Sequence, residues 1–120
     1  MMYNWNEVQK YCTGAPRSIP GVELAVMSEA EIALAITMLE TAISDCESEV
    51  KITQKCLDEK IGADWSTIEE WHQDIRFCNS CASQAREALG IWHAYSMIIN
   101  DGDPRVKAVA SKYLERAYAA

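Results

Sequence analysis

The sequence lacks the local signatures by which most enzymes are recognised. It contains no glycine-rich phosphate loop, no Gly-x-Ser-x-Gly turn and no His-Glu-x-x-His motif. Only two histidines occur among its 120 residues, and no serine, histidine and acid are grouped by a recognisable pattern. We therefore expect a protein that is not an enzyme, with no catalytic residues, no metal and no cofactor.

Positive charge is also scarce. The chain carries 18 acidic and 11 basic residues, which gives a net charge of −7. Binding to nucleic acid or to an anionic membrane requires a basic surface, so this balance argues against direct contact with either. It is compatible with a protein partner, and in particular with a basic one.

Long hydrophobic runs are missing as well. The longest useful uncharged run covers residues 88–100, which is 13 residues, whereas a helix that spans a bilayer needs about 20. The first residues lack a basic region followed by an apolar one, so they do not predict a secretory signal. Five cysteines without framework spacing fit a reducing compartment. We expect a cytoplasmic protein with no membrane partner.

Helical periodicity fills most of the chain between its glycine and proline residues. We predict a single all-α domain with a short helix at 5–12, an irregular strap at 15–27, long helices at 28–61 and 66–100, and a C-terminal helix at 104–118. Capping boxes at Ser28–Glu31 and Ser66–Glu69 predict the starts of the long helices. Asp103 is the expected cap of the last helix.

The two long helices share the 3.5-residue repeat of a coiled coil. The first seam is formed by Ile32, Ile36, Leu39, Ile43, Cys46, Val50, Thr53 and Leu57. The second is formed by Ile68, Trp71, Ile75, Cys78, Ala82, Ala85, Leu89, Trp92, Ser96 and Ile99. Because only a short turn separates them, the helices should fold back into a long antiparallel helical hairpin, with Ile36 near Trp92.

The predicted hairpin differs between its two ends. The open end is apolar nearly all round, so we expect the first and last helices to cover it. The last helix should pack through an apolar face that includes Val109, Tyr113 and Leu114. Residues 45–76, here called the arm, are apolar only along the seam. The candidate partner-binding residues are the carboxylates of the arm: Glu47, Glu49, Asp58, Glu59, Asp64, Glu69, Glu70 and Asp74. A solvated bundle end is an equally simple interpretation.

Charge is segregated along the chain. Residues 28–101 contain 14 acids and 5 bases, whereas residues 103–120 contain 4 bases and 2 acids. The basic last helix could meet the acidic arm of the same chain or that of a neighbour. The asymmetry predicts a homodimer or a higher homo-oligomer, assembled head to tail or with two-fold symmetry. Four surface cations that serve only solubility would produce the same pattern.

Cysteine supplies the most specific chemical motif. Cys78 and Cys81 form a Cys-x-x-Cys pair, and Cys46 should lie opposite Cys81 in one layer. Packing as small apolar side chains is the favoured interpretation, with a disulfide and a bound metal as alternatives. Glu69 and His72 have the spacing of a di-iron ligand pair, but a second such pair is lacking, so we expect no metal there.

These observations lead to three functional hypotheses. The first is a noncatalytic interaction or regulatory protein that acts through helical faces and the acidic arm and associates with itself. The second is an acidic inhibitor of a nucleic-acid-binding machine, of anti-CRISPR or anti-restriction type, whose carboxylates mimic a phosphate backbone. The third is a small-ligand-binding bundle with a pocket at the open end lined by Trp5, Trp92, Tyr95 and Met97.

Overall fold

The computed structural model describes residues 4–13, 28–60, 62–100 and 103–119, and within these ranges the chain is all-helical. The helices are α1 (Trp5–Thr13), α2 (Glu29–Glu59), α3 (Trp65–Asn100) and α4 (Pro104–Ala119). The predicted all-α hairpin is confirmed: α2 packs against α3 along its length, and α4 packs on α3. The strap predicted at 15–27 lies outside the described residues.

The ends of α2 follow from its caps. The Ser28 side chain accepts a hydrogen bond from the Glu31 amide at 3.2 Å, which confirms the predicted N-cap. At the other end Lys60 adopts a left-handed conformation with φ of 48°, and its amide donates to the Cys56 carbonyl at 2.9 Å. This C-cap geometry ends the helix at Glu59, two residues before the predicted end.

The predicted start of α3 at Ser66 is wrong. The helix begins at Trp65, and the Asp64 carboxylate accepts a hydrogen bond from the Thr67 amide at 2.8 Å. Asp64 therefore occupies the capping position, which leaves Ser66 inside the first turn. The same hydrogen bond holds the pKa of Asp64 below its ordinary value. At α4 the predicted cap is confirmed, since Asp103 accepts from the Arg105 amide at 2.9 Å.

The hairpin core follows the predicted seam with a shift toward small residues. Ile36 and Trp92 belong to one apolar cluster at the open end, as expected. On α2, however, Ala35 and Ala42 are fully buried, whereas Ile36 and Ile43 are only half-buried. Val8 of α1 belongs to the same apolar cluster as these alanines, so packing of α1 accompanies their burial.

Among the described residues, α1 and α4 provide the cover of the open end. The α1 helix packs on both long helices, and the indole nitrogen of Trp92 donates to the Tyr11 carbonyl at 2.8 Å. The α4 helix packs on α3 through Leu114, and in the described part of the chain it does not contact α2. The predicted cover by the first and last helices is therefore confirmed, while Leu34 and Met97 remain 52% and 47% exposed.

The resulting molecule is elongated, with extents of 61 × 24 × 20 Å. Trp5, at the start of α1, packs beside a small cluster formed by Cys46, Cys78, Cys81 and Ala82. Beyond that point, toward the turn, the described part of the arm consists of α2 and α3 alone. Among the described residues, no helix combines the length and hydropathy needed to cross a bilayer.

Candidate functional site

The position of a residue relative to the seam decides which side of the arm it occupies. Each residue advances about 100° around the helix axis. Glu49 and Ile52 on α2, and Asp74 and Phe77 on α3, each directly precede a seam residue. In an antiparallel pair, equal rotations away from the two seams lead to the same side. These four side chains therefore share one side of the arm.

This side continues at steps of three and four residues along both helices. We call it the acidic face, and its residues are Asp45, Glu49, Ile52, Cys56, Glu59, Glu70, Asp74 and Phe77. Five of its members are carboxylates and none is basic. Ile52 and Phe77, which are 58% and 44% exposed, place apolar surface between the carboxylates.

Two carboxylates of the acidic face lie close enough to influence each other. Partial burial and the neighbouring Asp74 carboxylate raise the pKa of Glu49 above its ordinary value. Asp74 is held in place by the Thr53 hydroxyl, which donates to it at 2.9 Å. Within the described ranges, neither carboxylate is in an ion pair with a basic side chain. The two carboxylates thus lie close together on the acidic face, and their mutual repulsion favours the protonated form of Glu49.

The opposite side of the arm has two of its acids, Glu47 and Glu69, paired with arginines. Arg86 lies 2.7 Å from Glu47 across the two helices. Arg76 lies 3.5 Å from Glu69 on the same helix. Each ion pair cancels a negative charge locally, so the two sides of the arm differ in the charge that they present to a partner.

The eight predicted binding residues consequently do not form one surface. Glu49, Glu59, Glu70 and Asp74 belong to the acidic face. The remaining four are used elsewhere: Glu47 and Glu69 in ion pairs, Asp58 as the acceptor of a 3.0 Å hydrogen bond from Gln54, and Asp64 as the cap of α3. Only half of the predicted set therefore has a common orientation.

The sequence-based prediction missed the exposed apolar residues of the arm. It treated the arm as apolar only along the seam, but Ile52 lies off the seam at 58% exposure and Trp65 at 76%. The signal was available in the spacing, because Ile52 and Phe77 are each one residue from a seam position. Trp65, next to the turn, follows neither the seam nor the acidic face.

The predicted cysteine layer is present in the core. Cys46, Cys78 and Cys81 are buried in one cluster across the two helices. Burial, followed by the negative charge of Asp74, raises the pKa of Cys78 to about 11. A thiol that stays protonated is a poor nucleophile and a poor metal ligand, so this environment favours a packing role.

Histidine and ligand chemistry are not concentrated in one place. His72 and His93 are both exposed, and the Nε2 atom of His93 lies 3.8 Å from a Glu40 carboxylate oxygen. Across the described part of the chain, no three His, Cys, Asp or Glu side chains are grouped so that they could hold a metal ion.

The residues proposed for a small-ligand pocket are separated. Trp5, Trp92 and Tyr95 pack in the open-end core, where Trp92 and Tyr95 are buried. Met97 is instead exposed and lines a groove with Val109 and other residues of α4. The structure therefore does not bring the four side chains to one cavity.

The last helix exposes residues that were expected to be packed. Val109 is 72% exposed and Tyr113 is 44% exposed, while Leu114 is buried against α3. Because α4 contacts only α3 within the described residues, one side of its apolar surface stays open. We call this surface the α4 face, and steps of three and four residues along the helix define it as Arg105, Val109, Lys112, Tyr113 and Arg116.

Comparison with known proteins gave no match of this chain to a protein-family model, to a curated protein or to a solved structure.

Proposed function

We propose that this chain is a noncatalytic interaction protein whose acidic face binds another protein. The observation that carries the proposal is the contrast between the two sides of the arm. One side pairs Glu47 and Glu69 with arginines, whereas the other exposes Ile52 and Phe77 among carboxylates without a described cation. Interfaces commonly combine apolar or aromatic anchors with a polar rim.

A basic partner with an amphipathic surface fits the acidic face best. Cationic side chains would relieve the repulsion between Glu49 and Asp74, and apolar groups would cover Ile52 and Phe77. We assign the protein to the reducing cytoplasm as part of the same proposal, because its buried cysteine layer packs well as thiols.

The acidic-inhibitor hypothesis concerns the same face with another occupant. A phosphate mimic would present regularly spaced negative charge to a basic channel. Here exposed Ile52 and Phe77 interrupt the carboxylates, and such apolar groups suit a protein surface better than a channel for nucleic acid. Direct binding assays with a basic nuclease would show which occupant is correct.

The test compares three forms of the full chain as bait in an extract of the cells that express it. The forms are the unchanged chain, the variant with Ile52→Ser and Phe77→Ser, and the matched control Leu34→Ser, which alters an exposed apolar residue at the open end. We expect the first and third baits to capture the same protein and the second to lose at least about 90% of it, since hot-spot side chains contribute about 2 kcal/mol or more.

Light scattering on the same three proteins completes the experiment. We expect self-association of the unchanged chain and of Leu34→Ser, with less in the arm variant. A strict monomer in all three cases, combined with identical captured proteins, would refute the proposed function.

A further inference from the structure

We propose that copies of this chain associate head to tail, with the α4 face of one copy docked on the acidic face of the next. This inference rests on the proposed function, because it takes the acidic face as a binding surface and identifies a second copy of the chain as its partner.

The two faces are complementary in charge and in apolar content. The α4 face places Val109 and Tyr113 among basic side chains, and of these Lys112 and Arg116 are in no ion pair within the described part of the chain. The acidic face places Ile52 and Phe77 among carboxylates. Docking would therefore bury apolar groups against each other while opposite charges meet around them.

The two faces are also similar in length. The α4 face extends from Arg105 to Arg116, which corresponds to about 17 Å at a rise of 1.5 Å per residue. The acidic face extends along α2 from Asp45 to Glu59, or about 21 Å. A helix laid along the arm could thus engage most of the acidic face, with Tyr113 and Phe77 as aromatic anchors of the kind that dominate interfaces.

The placement of the two faces on one molecule excludes a contact within the same chain and favours an open series. Acidic-face residues directly precede seam residues, whereas Gly90 directly follows the seam residue Leu89 and so lies on the other side of the hairpin. Tyr113 packs against Gly90, so closely that a Cβ there would collide with its hydroxyl. The α4 face thus lies toward the side opposite the acidic face. Surfaces on opposite sides form heterologous contacts, which continue as an open series unless the rotation between copies closes a ring.

Charge reversal in sedimentation equilibrium tests the inference. One variant reverses the acidic face with Glu59→Lys and Glu70→Lys, and a second reverses the α4 face with Lys112→Glu and Arg116→Glu. Each reversal replaces attraction by repulsion, so we expect each variant alone to associate at least about tenfold more weakly than the unchanged chain. Because the two reversed faces are again complementary, an equimolar mixture should recover the association.

Two controls place charge reversals off the proposed contact. Asp58→Lys with Glu69→Lys reverses two acids away from the acidic face and matches the charge change of the acidic-face variant, and Lys107→Glu reverses a single cation on another side of α4. We expect both controls to associate like the unchanged chain. Circular dichroism should show the same helix content in every variant.

Three results would overturn the inference. The first is self-association that is insensitive to either reversal, and the second is a mixture that stays dissociated. The third is a particle that stops at twice the 13.5 kDa chain mass, because a closed dimer contradicts an open series. If the unchanged chain is monomeric but still captures a protein through Ile52 and Phe77, this inference fails while the proposed function stands.

Discussion

At the scale of single residues, the acidic face shows how neighbours alter a carboxylate. Glu49 is partly withdrawn from water and faces Asp74, and both effects favour its protonated form and raise its pKa. Asp74 in turn accepts a hydrogen bond from Thr53 at the seam. Repulsion between the two acids lowers the stability of the hairpin. Such local destabilisation is common at surfaces that serve binding.

Replacing Glu49 by glutamine should stabilise the hairpin at neutral pH. Because the pKa of Glu49 is raised in the folded state, this side chain favours folding at pH values below its ordinary pKa of 4.5. This contribution to stability is lost as the pH rises through the higher pKa of the folded state. We expect Glu49→Gln to raise the free energy of unfolding by about 0.5 kcal/mol at pH 7 and by less at pH 4. Urea unfolding at the two pH values measures the difference.

The matched control for this change is Glu47→Gln. Glu47 lies 2.7 Å from Arg86, so its replacement removes an attraction and should not stabilise the protein at pH 7. Equal stabilisation by both substitutions would show that general charge reduction, rather than the Glu49–Asp74 contact, is responsible.

The buried thiols lead to a second prediction at this scale. With a pKa of about 11, Cys78 is ionised in only about one molecule in a thousand at pH 8. We expect iodoacetamide to modify half-buried Cys56 well before Cys78 in the folded protein, and to modify both at similar rates in urea. Mass spectrometry of timed digests gives the order, and early modification of Cys78 would contradict the assigned burial.

At the scale of helices, periodicity was sufficient to predict the hairpin but not its details. A 3.5-residue repeat gives each long helix one apolar stripe, and the two stripes must face each other. The repeat therefore predicted that Ile36 lies beside Trp92. The burial of Ala35 and Ala42, which share an apolar cluster with Val8 of α1, is not predicted by the seam repeat of α2 and α3. The sequence also did not predict which side of α4 packs on α3, because Val109 and Leu114 are both apolar.

The start of α3 gives a test that distinguishes the two possible caps. Asp64→Ala removes the acceptor of the Thr67 amide and should lower the free energy of unfolding more than Ser66→Ala does. Ser66→Ala, at the cap predicted from the capping-box pattern, should change it by less than about 0.5 kcal/mol because Ser66 is already within the helix. Thermal unfolding of both variants measures the effects, and the reverse order would restore Ser66 as the cap.

At the scale of the whole molecule, the functional surface depends on what the short helices leave uncovered. The α1 helix begins at Trp5, which packs beside the cysteine layer, so α1 covers the hairpin only up to that layer. Among the described residues, α4 packs on α3 alone. The sequence indicated an acidic arm, and its spacing assigns residues to two sides, but it does not show that Glu47 pairs with Arg86 and Glu69 with Arg76. Four of the eight predicted residues lie on the acidic face, and the other four lie elsewhere in ion pairs, a hydrogen bond or a helix cap.

Hydroxyl-radical footprinting over a concentration series tests the central claim most directly, because it reports the solvent exposure of individual side chains. As the concentration rises, we predict that Phe77 of the acidic face and Tyr113 of the α4 face become protected together. Trp65, which is 76% exposed beside the turn and belongs to neither face, should remain equally reactive. Unchanged labelling of Phe77 and Tyr113 at every concentration, or protection of Trp65 instead, would contradict the assignment of the acidic face as the binding surface.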